Sequence, residues 1–166
     1  MEHSEKYQEL VSLLARMTAY TSKHLPDDVL AKLKELRTKE TTPLAKVVYD
    51  SMFTDLDMAE KLDRPCCQDT GVIQYFVQIG TKFPQIDEIE DALREAVKAA
   101  TKLAPLRHNA VEIFDEKNTG NNVGTRIPWI DWEVVPGRDD VRVYTYIAGG
   151  GCSLPGTAKV LMPLED

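Results

Sequence analysis

Apolar residues recur every three or four positions through the first third of the chain, and this period predicts helices. The first predicted helix covers residues 5–24. Pro26 follows it, and a proline in the first turn is compatible with the start of a second helix. Thr42-Pro43 is an N-cap residue followed by proline, which predicts a third helix that runs to about residue 62.

Each predicted helix has one apolar face, which is typical of packing on a core rather than of contact with a cofactor. We therefore expect all three helices to bury this face. The expected inward positions are Tyr7, Leu10, Val11, Leu14, Met17, Thr18 and Thr21 in the first helix, Val29, Leu30, Leu33 and Leu36 in the second, and Leu44, Val47, Val48, Met52, Leu56 and Ala59 in the third.

The pattern changes after residue 71. Residues 72–79 are almost continuously apolar and rich in β-formers, which predicts a buried strand. Helical spacing returns over residues 86–103, with inward positions at Ile89, Leu93, Ala96, Val97, Ala100 and Leu103. Residues 127–135 and 141–148 predict two more strands, and the turn residues 136–140 between them predict an antiparallel hairpin. The predicted class is α+β: a helical N-terminal third packed on a mixed or antiparallel β-sheet with further helices.

The length of 166 residues suits one domain over residues 1–166. The formal net charge is −7 and no lysine- or arginine-rich block occurs, so nucleic acid is not expected as a partner. No apolar run approaches the roughly 20 residues of a membrane span, and the polar N-terminus lacks the apolar segment of a signal peptide. Three cysteines, two of them adjacent, do not form a disulfide framework. These features predict a cytoplasmic protein with no membrane interaction.

The densest group of reactive side chains is Arg64-Pro65-Cys66-Cys67-Gln68-Asp69-Thr70-Gly71, hereafter the 64–71 loop. Its proline stops the third helix and its glycine permits a tight turn, so Cys67, Gln68 and Asp69 are presented just before a strand. From these residues alone two interpretations stay open: a metal or thiol site, or a structural turn beside a buried cysteine. An ordinary closed zinc site is excluded, because adjacent cysteines lack the required spacing.

Two further polar clusters follow. Arg107 comes just after the predicted fourth helix, where its guanidinium group either binds a carboxylate in a bidentate manner or is simply solvated. His108 either forms a nucleophilic pair with Cys67 or is a hydrogen-bonded structural residue. Gly149-Gly150-Gly151 follows a predicted strand, and it either brings backbone N–H groups to an anion or forms a sharp turn.

Four motifs in order resemble the α subunit of the oxygen-sensitive iron–sulfur hydro-lyases, a family that includes L(+)-tartrate dehydratase and class I fumarase (fumarate hydratase). The motifs are residues 65–71, residues 106–112, Asn118-Thr119-Gly120 and Gly149-Gly150-Gly151-Cys152. Residues 104–115 and 158–163 make the tartrate dehydratase branch the closer match. The resemblance extends over essentially the whole chain.

The resemblance implies a [4Fe–4S] cluster held by three cysteines, of which Cys67 is one and Cys66 is not. It implies that Gln68, Arg107 and Gly150 bind the substrate and that Asp69 is a catalytic residue that handles a proton. The implied reaction is the dehydration of a C4 hydroxy-dicarboxylate. L-tartrate to oxaloacetate is the first expectation, and the malate/fumarate reaction of a class I fumarate hydratase is the alternative.

The chain is also shorter than the α subunits it resembles, and their other two cluster cysteines lie beyond residue 166. Cys152 is not one of them, so we expect an N-terminal portion of the subunit with one of three cluster ligands, inactive alone. The resemblance implies a β subunit as partner in a heterotetramer, with the catalytic base and further carboxylate-binding residues there. Two other hypotheses stay open: a non-catalytic subunit-docking domain, and a stand-alone thiol enzyme that uses Cys67 and His108.

Overall fold

The structure is a computed structural model, and it describes residues 4–67, 69–153 and 157–158. The helices are α1 (Glu5–Lys23), α2 (Asp27–Lys39), α3 (Pro43–Leu62), α4 (Ile89–Leu103) and the short α5 (Gly150–Ser153). The strands are β1 (Val72–Gly80), β2 (Trp129–Val135) and β3 (Val141–Ala148). The predicted α+β class is confirmed. Within the described ranges, none of the helices combines the length and apolarity needed to cross a membrane.

The predicted helix positions are confirmed with small shifts at their ends. Helix α4 begins at Ile89 rather than at residue 86, because residues 84–88 form turns. Pro43 occupies the first turn of α3, as predicted. Thr42 is the N-cap, but its side chain makes no capping hydrogen bond; instead its own N–H donates to the Glu40 carboxylate at 2.7 Å.

Strand β1 is central in a three-stranded sheet of order β2-β1-β3. Strand β2 runs parallel to β1, with Gln74 opposite Trp129, and β3 runs antiparallel, with Val72 opposite Ala148. The predicted β2–β3 hairpin is therefore wrong, since these strands lie on opposite edges of β1. The physical reason is that β1, α4 and β2 form a strand–helix–strand unit, whose long connection allows a parallel pair.

The 136–140 turn crosses the end of β1 instead of closing a hairpin. The N–H of Gly80 donates to the carbonyl of Asp140 at 2.9 Å, and the N–H of Lys82 donates to the carbonyl of Arg138 at 2.8 Å. A Cβ atom on Gly80 would lie 2.2 Å from the Arg138 carbonyl oxygen. Glycine at this position therefore permits the crossing that sends β3 to the far edge of the sheet.

Helices α1 and α4 cover one face of the sheet and form the core with it. Alternate residues of β1 are buried on this face: Ile73, Tyr75, Val77 and Ile79. The hydroxyl groups of Tyr75 and Thr18 share a hydrogen bond of 2.6 Å, which satisfies both buried polar atoms. The predicted burial of β1 is confirmed for this face, whereas Phe76 on the other face is 45% exposed.

Helices α2 and α3 form an arm (residues 27–62) that packs little against the core. Within the arm, Ala59 is the one residue that the structure buries. The predicted inward stripes are therefore wrong for most positions: Val29, Leu36, Leu44, Val47, Val48 and Met52 are exposed, and Leu103 of α4 is exposed as well. The periodicity is real, but no described element covers these faces.

Candidate active site

The 64–71 loop separates two open clefts at the edge of the sheet where β1 begins. The first, of about 610 Å³, is lined by Pro65, Cys67, Thr70, Pro105 and Arg107. The second, of about 410 Å³, is lined by Asp69, Gly71, Val72, Gln74, Asn109, Ala148 and Gly150. The structure thus brings Cys67 together with Arg107, and Asp69 together with Gly150. Gln68, the remaining predicted site residue, lies outside the described residues.

The two adjacent cysteines stand in different environments. The backbone N–H of Cys66 donates to the Ser22 carbonyl at 3.1 Å, and its thiol lies 3.5 Å from the same oxygen. Burial raises the pKa of the Cys66 thiol, which keeps it protonated. Cys67 is exposed in the first cleft. Of the two thiols, Cys67 is therefore the one that is open to a ligand.

The Asp69 carboxylate is fixed by backbone N–H groups. Its Oδ2 accepts from the Gly151 N–H at 3.1 Å, and its Oδ1 accepts from the Gly71 N–H at 3.3 Å. The Gly151 N–H is the main cause that holds the pKa of Asp69 below its usual range, and the positive charge of Arg107 adds a smaller effect. Asp69 is therefore an anion at neutral pH. The anion at the glycine run in this structure is the protein's own carboxylate.

Two glycines allow this close packing. A Cβ atom on Gly71, whose φ is +76°, would lie 2.5 Å from the carbonyl carbon of Ala148. A Cβ atom on Gly149 would lie 3.2 Å from Oδ2 of Asp69. Because β1 and β3 are antiparallel and Val72 pairs with Ala148, the loop before β1 and the loop after β3 must meet at the same edge.

The main chain of Arg107 is held while its side chain is free to bind a ligand. The Arg107 N–H donates to Thr70 Oγ1 at 2.9 Å, and the Arg107 carbonyl accepts from Asn122 Nδ2 at 3.0 Å. Asn109 Nδ2 donates to the Gly71 carbonyl at 2.9 Å. Arg107 is exposed, and in the described ranges its guanidinium group makes no hydrogen bond or ion pair. These contacts tie residues 107–109 to the 64–71 loop.

The supporting residues Thr70, Asn109 and Asn122 were not identified from the sequence as site residues. Asn109 and Asn122 gave no signal beyond their tendency to occur in loops. His108 is exposed and lines neither cleft, and its backbone carbonyl accepts from Asn118 Nδ2 at 2.7 Å. A nucleophilic pair with Cys67 gains no geometric support from this arrangement.

The described residues could supply one ligand, Cys67, to a metal cluster. Among residues 4–67, 69–153 and 157–158, no three His, Cys, Asp or Glu side chains come together as a metal site. Of the two cysteine thiols that the structure describes, Cys67 offers the exposed one, in the cleft that Arg107 also lines. A cluster bound here would take Cys67 as one ligand and its other ligands from outside the described residues.

Comparison with known proteins gives a consistent result. A family model described as fumarate hydratase (Fumerase) matches residues 11–166. The chain is 49% identical to the L(+)-tartrate dehydratase subunit alpha of Escherichia coli (strain K12) and of Shigella boydii serotype 4 (strain Sb227), over 99% of this chain and 55% of each relative. It is 50% identical to the protein of the same name from Escherichia coli (strain UTI89 / UPEC), with the same coverage. The chain thus spans about half the length of the curated relatives it matches. This chain belongs to the fumarate hydratase (Fumerase) family.

Proposed function

We propose that the chain supplies part of the active site of an iron–sulfur hydro-lyase that dehydrates a C4 hydroxy-dicarboxylate, with L-tartrate to oxaloacetate as the preferred reaction. Its family and its relatives support the reaction class. The observation that carries the proposal is the arrangement around one loop, in which an exposed thiol shares a cleft with an exposed guanidinium and a fixed carboxylate lies on the other side. An acidic chain of net charge −7 can bind a dianion only through such local cations.

Each residue has a chemical role in this proposal. Arg107 binds a substrate carboxylate through its planar fork of N–H donors. Cys67 is a cluster ligand, and a [4Fe–4S] cluster, when bound, supplies an open iron that acts as a Lewis acid on the substrate hydroxyl. Gln68 and Gly150 complete the substrate contacts.

Asp69 is the catalytic residue of this chain, and its lowered pKa limits what it does. Dehydration removes a hydroxyl group from one carbon and a proton from the next. A carboxylate held by two backbone N–H groups is a weak base. We therefore assign Asp69 to the hydroxyl group, which it orients by accepting its hydrogen bond, and assign the C–H proton to a base elsewhere in the complete enzyme.

The proposal extends to the assembly. We propose that residues 1–166 form one domain of an alpha subunit that works with a β subunit in a heterotetramer, in the cytoplasm. The name "subunit alpha" of the relatives supports a partner subunit.

The test compares the two neighbouring cysteines in the complete two-subunit enzyme, reconstituted anaerobically with iron and sulfide. Cys67→Ser is expected to abolish the visible absorbance of the cluster and the turnover of L-tartrate. Cys66→Ser is the matched control and is expected to retain both, because its thiol is half-buried against Ser22. Equal loss in the two variants would contradict the assignment of Cys67 alone.

A class I fumarate hydratase activity is the second candidate, and the description of the matched family favours it. The ratio of kcat/KM for L-tartrate and L-malate in the same preparation separates the two.

A non-catalytic docking domain is tested by Arg107→Ala and Asp69→Asn. We expect Arg107→Ala to raise KM about 10- to 100-fold. We expect Asp69→Asn to lower kcat about 100-fold, because the hydroxyl group is then misplaced. Unchanged turnover in both variants would favour the docking domain.

A further inference from the structure

We propose that Asn122 is a positioning residue: its buried amide holds the main chain of Arg107 against the 64–71 loop and so sets where the guanidinium group stands relative to Cys67 and Asp69. The inference rests on the proposed function, because it takes Arg107 as the group that binds the substrate carboxylate. Asn122 itself lines neither cleft. Its effect on the ligand therefore passes through Arg107.

The amide of Asn122 makes three hydrogen bonds. Its Oδ1 accepts from the Asn109 N–H at 2.7 Å. Its Nδ2 donates to the Arg107 carbonyl at 3.0 Å and to Thr101 Oγ1 at 3.1 Å. The residue is 4% exposed, so loss of any of these bonds would leave a polar group unpaired away from water.

The backbone at this position also favours asparagine. Asn122 has φ of 61°, in the left-handed region that asparagine, aspartate and glycine adopt more easily than other residues. Glycine would fit the backbone but has no amide, and aspartate would fit the backbone but has no N–H donor. Asparagine alone among the three provides both the acceptor for Asn109 and the donors for Arg107 and Thr101.

The network connects the site to the core. Thr101, in the last turn of α4, donates from Oγ1 to the Val97 carbonyl at 2.8 Å, so Asn122 is anchored on a buried helix. At the other end, Thr70 Oγ1 accepts the Arg107 N–H at 2.9 Å. The Arg107 peptide groups are thus held on one side by the loop that carries Cys67 and on the other by Asn122.

The direct test is Asn122→Asp in the complete enzyme. Aspartate is nearly isosteric and keeps the acceptor for the Asn109 N–H, but it places an anion against the Arg107 carbonyl and displaces this main chain. The probe is succinate, a C4 dicarboxylate without a hydroxyl group to eliminate, measured by isothermal titration calorimetry. We expect its Kd to rise about 5- to 50-fold, which lies within the range of coupling between residues in one hydrogen-bond network. The KM for substrate should rise more than kcat falls.

Asn121→Asp is the matched control. It adds the same charge one residue earlier, and an aspartate there would keep the one acceptor role of the present side chain, toward the Val123 N–H at 3.0 Å. We expect its succinate Kd to stay within about twofold of the wild type. An equal rise in both variants would show that added charge alone weakens binding, and it would overturn the proposal.

A double-mutant cycle with Arg107→Ala separates positioning from general stability. If Asn122 acts through Arg107, Asn122→Asp costs less than about twofold in the Arg107→Ala background. If Asn122→Asp raises the succinate Kd by the same factor in the wild-type and Arg107→Ala backgrounds, the positioning role is overturned. An unchanged Kd of Asn122→Asp in the wild-type background would overturn it as well. If Arg107→Ala alone leaves the succinate Kd unchanged, the failure is that of the proposed function.

A second pair of variants covers the case that Asn122→Asp does not fold. Thr101→Val removes the acceptor of Asn122 Nδ2 at the buried end of the network, whereas Thr101→Ser retains a hydroxyl group. We expect the valine variant to raise the succinate Kd about 5-fold or more and serine to restore it. Equal affinity of these two variants would overturn the proposal.

Discussion

Two pairs of helices have similar patterns of apolar residues but bury them to different extents. Helices α1 and α4 pack on the sheet, and α4 alone buries seven residues: Ile89, Ala92, Leu93, Ala96, Val97, Ala100 and Thr101. In the α2–α3 arm the structure buries Ala59 and leaves Leu44, Val47 and Val48 more than half exposed. An apolar stripe at helical spacing therefore predicts that a helix has a face to cover. It does not tell what covers that face.

The difference has an energetic meaning. Burying a leucine or valine side chain stabilises a fold by about 1.5–3 kcal/mol, and the α2–α3 arm gains little of this. The arm depends instead on local contacts. Arg37 of α2 forms an ion pair with Asp50 of α3 and lies over the ring of Phe53 at 5.3 Å, and Lys23 pairs with Asp63 at 2.6 Å. Helices α1 and α4 should therefore determine the free energy of global unfolding, whereas the α2–α3 arm should unfold locally while the core stays folded.

The largest expected effect comes from truncating one apolar residue in each region. Leu93→Ala in α4 should lower the free energy of unfolding by about 2–5 kcal/mol, because Leu93 is fully buried and its removal leaves a cavity. Val47→Ala in α3 should change it by less than about 0.5 kcal/mol, because Val47 is 60% exposed. Urea titration followed by circular dichroism measures both.

The contrast fails if Val47→Ala destabilises the chain by more than about 1 kcal/mol, which is the cost of a packed rather than an exposed position. Leu13→Ala in α1 is a useful control, since Leu13 is 57% exposed on a helix that packs on the core. It should behave like Val47→Ala. Burial of the individual side chain, and not the helix that carries it, would then account for the result.

The sequence predicted the elements better than their arrangement. Helical spacing located α1 to α4 within a few residues, because this signal is local. Strand pairing is not local: the 136–140 turn favoured a β2–β3 hairpin, yet β1 lies between the two strands. The order strand, helix, strand over β1, α4 and β2 did contain the correct signal for a parallel pair.

For the candidate site too, the sequence identified residues better than their spatial arrangement. The sequence identified Cys67 and Asp69 in one cluster and Arg107 and Gly150 in two others. The antiparallel pairing of β1 with β3 brings Gly150 to Asp69, and the hydrogen bond from the Arg107 N–H to Thr70 brings Arg107 to the same loop. Asn122 could not be identified, because its role depends on a network between the ends of α4 and β1. The catalytic and binding roles themselves stay predictions until the variants are measured.

The second-largest expected effect concerns Tyr75 of β1, whose hydroxyl group forms a hydrogen bond with Thr18 of α1. Burial raises the pKa of Tyr75 to about 12 from an ordinary value of 10.0. The folded state therefore binds the phenolic proton more tightly than the unfolded state does, and the stabilisation is fully present below pH 10 and is lost as the pH rises through 12. The wild type should lose about 2 kcal/mol between pH 9 and 12 from this residue.

Tyr75→Phe removes that part of the pH dependence. Below pH 10 the variant should be about 1 kcal/mol less stable, because the Thr18 hydroxyl loses its bond to Tyr75 and keeps only its bond to the Leu14 carbonyl. Its stability should then fall less steeply than that of the wild type in alkaline urea titrations. Tyr144→Phe is the control, because Tyr144 is 56% exposed on the other face of the sheet. A parallel alkaline decline in wild type and Tyr75→Phe would contradict the burial argument.

The smallest effect is expected in the α2–α3 arm, and it should be local. Arg37→Ala removes both the ion pair with Asp50 and the stacking on Phe53, which together are worth about 0.5–1 kcal/mol at an exposed site. Amide hydrogen exchange in residues 27–62 should become about two- to fivefold faster, while α4 exchanges as in the wild type. Lys34→Ala, on the same helix, removes a charge that makes no ion pair in the described ranges and should change neither region. Faster exchange in α4 as well would mean that the arm and the core open together, and the separation between the two helix pairs would be lost.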